Sequence, residues 1–309
     1  MVIRMQVNSG EIIKNIRTDM GLTQGEMASR MLIDQKKISR IENGSAKIDI
    51  WELMQLLELL GFPSEDFWLL YLDSEEYKGY RTYRLLKKQL WNEELDKAEV
   101  TISSIKKNPL VNKPFIVQFL KLADVIMDKS MLHEDAIEKL FDIIRISVPK
   151  FEISKISEYR LIYNEIYVLI EMAGNYSKMG DKDTAIKITK AVIESRENSR
   201  TSEEDRARLF PALLFNLSNY LGQSGRTREA LKACSQAIEI CIEYSNLEAV
   251  PQILLNMASC HFIMGEQEHM YKTYLIRAYH TAFAHGNLEL GNRIRKNAEL
   301  EFGIKITDL

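Results

Sequence analysis

Three stretches late in the chain repeat one another. Lys178-Met179-Gly180-Asp181-Lys182-Asp183-Thr184-Ala185-Ile186 returns in pattern as Gln223-Ser224-Gly225-Arg226-Thr227-Arg228-Glu229-Ala230-Leu231, 45 residues on. It returns again, after another 40, as Ile263-Met264-Gly265-Glu266-Gln267-Glu268-His269-Met270-Tyr271. Each follows an apolar helical pattern, places a glycine where that helix must stop, and opens the next helix. A period of this length marks stacked units, none of which can bury its apolar face alone. Small residues recur at matching places, with Ala173, Ser218 and Ala258 in the first helix of each unit and Ala185 and Ala230 early in the second. They let paired helices approach closely, and Met270 breaks the pattern in the last unit. Fainter units run over 85–106 with Ala98 and 115–146 with Ala136.

Apolar residues spaced three and four apart continue almost to the end, with only 6 Pro and 14 Gly and no sustained alternation of the strand type. The expected fold is all-α. At 309 residues the chain has the length of two domains.

The first domain is legible in its helix signals. A leading helix is expected over about 10–20. Thr23 with Glu26 three residues later forms a capping box, so a helix starts near Gln24 and buries Met27, Ala28 and Met31. Asp34 caps a second helix, with Ile38 and Ile41 on the inner face and Gly44 as its left-handed stop. Asp49 and Glu52 open a closing helix that turns Leu53, Leu56, Leu57 and Leu60 inward and ends at Gly61 before Pro63. The outer face of the second short helix is Gln35, Lys36, Lys37, Ser39 and Arg40. Two short helices in this arrangement suit DNA: Gln35 and Lys36 are placed to read base edges, since glutamine pairs bidentately with adenine and lysine with guanine. Gln24, Ser39, Arg40 and Lys47 are expected on the phosphate backbone, with Lys37 beside them. The first 48 residues carry eight basic and five acidic side chains, a net of +3, in a chain whose total is −3. That contrast suits site-specific binding rather than indiscriminate attraction to nucleic acid.

With Gln24, Ala28 and Ile38 at its key positions, the stretch resembles the lambda-repressor-like, or XRE, helix-turn-helix family. That family often has glycine in the turn, where this chain has Leu32. A left-handed leucine costs about 1–2 kcal/mol, so a turn built differently is expected. The repeats in turn resemble the tetratricopeptide repeat, with spacing longer than usual, and imply about five helical pairs wound into a right-handed superhelix with a concave groove.

The expected domains are 1–62 for the helix-turn-helix unit, 63–79 for a connector and 80–309 for the repeats. The connector carries Phe67, Trp68, Leu69, Leu70, Tyr71 and Leu72, too apolar to run free, and is expected to dock on a domain or a second subunit.

By repeat phase, the tetratricopeptide resemblance puts Asn216 and Asn256 at one equivalent groove position and Asn219 one turn beyond Asn216. A carboxamide offers a donor and an acceptor together, which suits a peptide bond. Tyr167, Ile170, Phe215, Gln252, Leu255, Ser259 and Phe262 complete an implied mixed lining, and Glu171 and Lys178 are placed to read a peptide charge or terminus. The whole architecture is similar to the peptide-pheromone receptors of Gram-positive bacteria, the group containing Rgg, PlcR and PrgX. That resemblance implies a cytoplasmic homodimeric regulator with three partners: a DNA operator, a short oligopeptide and a second copy of itself. The competing reading is an XRE-type repressor that is constitutive or controlled by a protein partner.

Other classes are weakly supported. No phosphate-cradling glycine loop, nucleophile elbow or His-Glu-x-x-His helix is present. His133, His261, His269, His280 and His285 are scattered, without acidic neighbours at metal-ligand spacing. No catalytic residue, metal or cofactor is expected. Cys234, Cys241 and Cys260 lie in apolar helical patterns and read as reduced core thiols. No signal peptide or membrane-spanning run stands out.

Overall fold

The computed structural model describes residues 9–46, 74–91, 94–107, 113–197 and 203–306. Contacts divide the chain into two compact units, residues 1–117 and 118–309. Helices dominate both, and no strand occurs among the described residues.

The first unit opens with α1 (Ser9–Asp19), α2 (Gln24–Arg30) and α3 (Gln35–Glu42). Helix α2 starts at the expected capping box: the Glu26 backbone N–H donates to Thr23 Oγ1 at 3.1 Å, and the Thr23 N–H donates back to the Glu26 carboxylate at 2.8 Å. Asp34 caps α3 by accepting the Lys36 N–H at 2.6 Å. Ile13, Met27, Ala28, Met31, Ile38 and Ile41 bury themselves between the three helices. Helix α1 lies so close to α3 that a Cβ on Gly10 would run into the Ile41 and Glu42 carbonyl oxygens.

The α2–α3 turn corrects an expectation. Leu32 is left-handed, with φ of 56°. Its N–H donates to Ser29 O, and the Ile33 N–H donates to Ala28 O, at 3.3 and 3.1 Å. These crossed bonds are those of a Schellman helix stop. They recur after α1 at Gly21 and after α3 at Gly44. The turn is therefore the ordinary left-handed one, made with leucine.

The closing helix expected from Asp49, the apolar connector stretch 67–72 and Lys47 lie outside the described residues. Helix α4 (Ser74–Trp91) takes in the end of the segment read as connector, and packs on α5 (Leu95–Ile105) with Ala98 fully buried.

Helix α6 (Pro114–Met127) is followed by α7 (His133–Arg145), and buried Gln118 donates from α6 to Ile143 O at 3.1 Å and Ser147 Oγ at 2.8 Å. Next come a 3-10 turn (Ile153–Glu158), α8 (Tyr163–Lys178), α9 (Lys182–Glu197), α10 (Glu203–Gln223), α11 (Thr227–Glu243), α12 (Val250–Ile263), α13 (Glu268–Ala284) and α14 (Leu288–Phe302). Each helix packs on its successor from α7 to α14, and α10 also touches α12, as stacked pairs require.

Ala173, Ala185, Ser218, Ala230 and Ala258 are all at the helix contacts with no more than 1% of their surface exposed. The three repeated turns share one set of bonds: the N–H groups of Asp181, Arg226 and Glu266 reach back to Tyr176, Leu221 and His261, across Gly180, Gly225 and Gly265. A fourth such turn at Gly286 leads into α14, a helix beyond the five expected pairs. Sequence reading also missed the long α7–α8 connection, which the ring contacts Phe141–Phe151 and Phe151–Tyr159 hold in place. The three cysteines are free and buried.

Candidate DNA-reading helix and candidate peptide groove

On α3, Gln35, Lys36 and Arg40 are exposed, while Lys37 and Ser39 are half-buried. The helix presents its polar face because Ile38 and Ile41 hold the other against α1 and α2. Behind it sits a buried charge network that sequence reading missed. Arg17 Nε is 2.5 Å from Glu42 Oε1, Arg17 Nη2 donates to Glu42 Oε2 at 3.0 Å, and Arg17 Nη1 donates to Leu22 O at 2.6 Å. Gln24 Nε2 adds a bond to Glu42 Oε2 at 2.8 Å. The amide nitrogen of Gln24, expected on a phosphate, is thus engaged inside the motif. Burial alone would raise the Glu42 carboxyl, but the Arg17 and Gln24 hydrogen bonds and the Arg17 charge prevail and hold it below the usual carboxylate range. The available signal was positional: Arg17 falls one turn beyond Ile13, and Glu42 one turn beyond Ile38, so both charges sit at core phases.

In the repeats, Ile170 and Glu171 on α8, Phe215, Asn216 and Asn219 on α10, and Gln252, Leu255, Asn256 and Ser259 on α12 are all half-buried. They recur at helical spacing on the three first helices of consecutive pairs. The Asn216 and Asn219 side chains make no hydrogen bond among the described residues. Asn256 differs, because its Nδ2 donates to Ser218 Oγ at 2.5 Å and Ser218 in turn donates to Phe215 O at 2.7 Å. That amide bridges α12 to α10. Gln252 Oε1 is buried without a hydrogen-bond partner among the described residues.

Two of the expected lining residues are placed otherwise. Tyr167 is buried and stacks on Phe119, with centroids 6.4 Å apart, so it is a packing residue. Phe262 is 43% exposed but is clamped edge-on between Tyr271 and Phe302 at the end of the stack. Lys178 is exposed at the last turn of α8. Tyr220, which sequence reading passed over, is buried near Glu171, and burial with that carboxylate pushes its hydroxyl up to about 12.

Two recesses lie elsewhere. One, of about 320 Å³, has Ile193, Phe210, Leu214 and Ile240 among its lining on α9, α10 and α11; the other follows α7 beside Phe141. Neither includes a residue of the half-buried stripe. His261 Nδ1 meets Glu266 at 2.9 Å across a repeat turn, a pairing that sequence reading left unconnected. Among the described residues no group of three His, Cys, Asp or Glu is placed to hold a metal, and no helix is long and apolar enough to cross a membrane.

The class these features define is a helix-turn-helix protein with a helical-repeat body. Residues 10–75 match the family model described as a helix-turn-helix domain. In fold, the chain resembles the peptide-pheromone receptors. Bacillus thuringiensis PlcR, solved with the peptide PapR7 and DNA, superposes with a TM-score of 0.69 at 19% identity, covering 95% of this chain and 99% of that one. ComR from S. thermophilus, solved with DNA and its signalling peptide ComS, gives 0.58 at 14% identity, covering 96% and 100%. The Streptococcus dysgalactiae SHP pheromone receptor Rgg2 gives 0.53 at 15% identity, covering 95% and 99%. No curated protein sequence matches the chain.

Proposed function

We propose that this protein is a cytoplasmic, sequence-specific transcription regulator that reads DNA with α3 and binds a short signalling peptide along the stripe on α8, α10 and α12. It acts as a homodimer, with a DNA-binding domain over 1–62, a connector over 63–79 and a peptide-binding and dimerising body over 80–309. The observation that carries the peptide assignment is the pair of half-buried carboxamides Asn216 and Asn219 on α10, which make no hydrogen bond among the described residues. A half-buried amide without a protein partner is poised for a ligand that brings both a donor and an acceptor, as an extended peptide backbone does.

Two recognition helices of a dimer reach half-sites about one helical turn of DNA apart, or a multiple of it. A peptide changes operator affinity only so far as it binds the two arrangements of the dimer unequally.

The test is calorimetric titration of the full-length protein with synthetic peptides copied from the C-terminal ends of small secreted reading frames flanking its gene. Saturable binding at micromolar concentration or tighter is expected, lost in the Asn216→Ala, Asn219→Ala double variant. A folded protein that binds promoter DNA but none of these peptides would favour a constitutive or protein-controlled repressor.

A further inference from the structure

Leu32 combines two unfavourable features that no other described residue combines. Its backbone is left-handed, and at 88% exposure it is the most exposed of the large apolar side chains among the described residues. Other turns with the same crossed bonds put Gly21, Gly44, Gly180, Gly225, Gly265, Gly286 or the small polar Ser245 at this place. Glycine has no Cβ to clash there. Leucine has one, and its isobutyl group is left 88% exposed, with nothing among the described residues to cover it. Strained backbone and uncovered apolar surface both mark places where a partner is met.

The partner follows from position and chemistry. Leu32 stands two residues before Asp34, the cap of α3, and α3 begins with the exposed Gln35 and Lys36. At a major-groove base edge, the group that matches an apolar side chain is the C5-methyl of thymine. We propose that Leu32 is a specificity-determining residue that packs on a thymine methyl at the rim of the site read by α3. This rests on the DNA-binding reading above.

The experiment uses full-length protein and duplexes enriched from a random pool by the wild type. Each thymine is replaced in turn by deoxyuridine, which removes the methyl alone. Wild type is expected to lose about fourfold in affinity at one thymine per half-site, the change corresponding to ~0.8 kcal/mol for one buried apolar carbon. Leu32→Asn, with a residue that tolerates the left-handed backbone, is expected to melt no lower than wild type. It should lose the same factor on the thymine duplex and be indifferent to deoxyuridine, and Leu32→Gly should repeat the pattern. Wild-type affinity and deoxyuridine sensitivity in both variants would overturn the proposal. So would a loss that is equal on enriched and random duplexes, which would place Leu32 on the sugar-phosphate backbone. If the wild type enriches no duplex, it is the DNA-binding reading that fails, and this proposal falls with it.

Discussion

Arg17 and Glu42, 25 residues apart in the chain, meet as a buried bidentate ion pair, Nε to Oε1 at 2.5 Å and Nη2 to Oε2 at 3.0 Å. The pair joins α1 to the end of α3, and its further bonds to Leu22 O and Gln24 Nε2 draw in the start of α2. A charge pair this far from water adds little net stability over an apolar pair but is costly to break on one side. Arg17→Met is therefore expected to destabilise the helix-turn-helix by about 3–5 kcal/mol by leaving Glu42 buried without its counter-charge. Denaturant unfolding followed by hydrogen exchange of α1–α3 would show it.

The same pair sets an acid limb. Glu42 is held below its usual value in the folded protein, so its contribution is complete above the unfolded carboxylate value of about 4.3 and disappears as pH falls through the folded value. Melting temperature measured against pH is expected to fall less steeply below pH 4 in Glu42→Gln than in wild type, from a lower starting point. An acid limb unchanged by Glu42→Gln would contradict the assignment.

Gly10→Ala tests the closeness of α1 and α3. The added methyl meets the Ile41 and Glu42 backbone oxygens, which cannot turn away as a side chain could. A loss of about 1–3 kcal/mol is expected, as for overpacking elsewhere, with weaker DNA binding because α3 must shift. Gly25→Ala serves as the comparison, since a Cβ there meets only ordinary contacts.

Base reading and backbone contact separate by their effect on specificity. Gln35→Ala and Lys36→Ala are each expected to remove about 1–3 kcal/mol of discrimination between preferred and altered sites. Arg40→Ala is expected to weaken all duplexes more evenly and to shallow the salt dependence. Footprints of Gln35→Ala with unaltered base preference would move the reading surface away from the start of α3.

The thiols are expected to be silent. Burial pushes Cys241 up to about 11 and Cys260 up to about 12, and the thiolate is the reactive form. A colorimetric thiol reagent at pH 8 should label neither in the native protein and both after denaturation.

Much of the fold was legible because local signals and packing agree. Thr23 with Glu26, Asp34, and the glycines at 44, 180, 225 and 265 each mark a helix end, and the small residues at 173, 185, 218, 230 and 258 each mark a helix contact. Leu32 misled because the Schellman bonds were strong enough to hold a residue that local preference argues against. Gly286 was passed over because the residues after it, Asn287-Leu288-Glu289-Leu290-Gly291, carry no alanine at the place that Ala185 and Ala230 hold after the earlier turns. The groove was less legible than the fold. Repeat phase puts Tyr167 and Asn256 on the first helices of their pairs, but whether a side chain faces outward or a neighbouring helix depends on partners such as Phe119 and Ser218, far away in sequence.

The central claim couples the two units through a peptide, and the most direct measurement is the operator affinity of the full-length protein with and without saturating peptide. It should be made in parallel on wild type and on the Asn216→Ala, Asn219→Ala variant. The account predicts that the peptide changes wild-type affinity by several-fold or more, in either direction, and leaves the variant unaltered although it still binds the operator. Wild-type affinity that stays constant while the peptide demonstrably binds would contradict it, because a ligand that does not distinguish the two states of the dimer cannot regulate them.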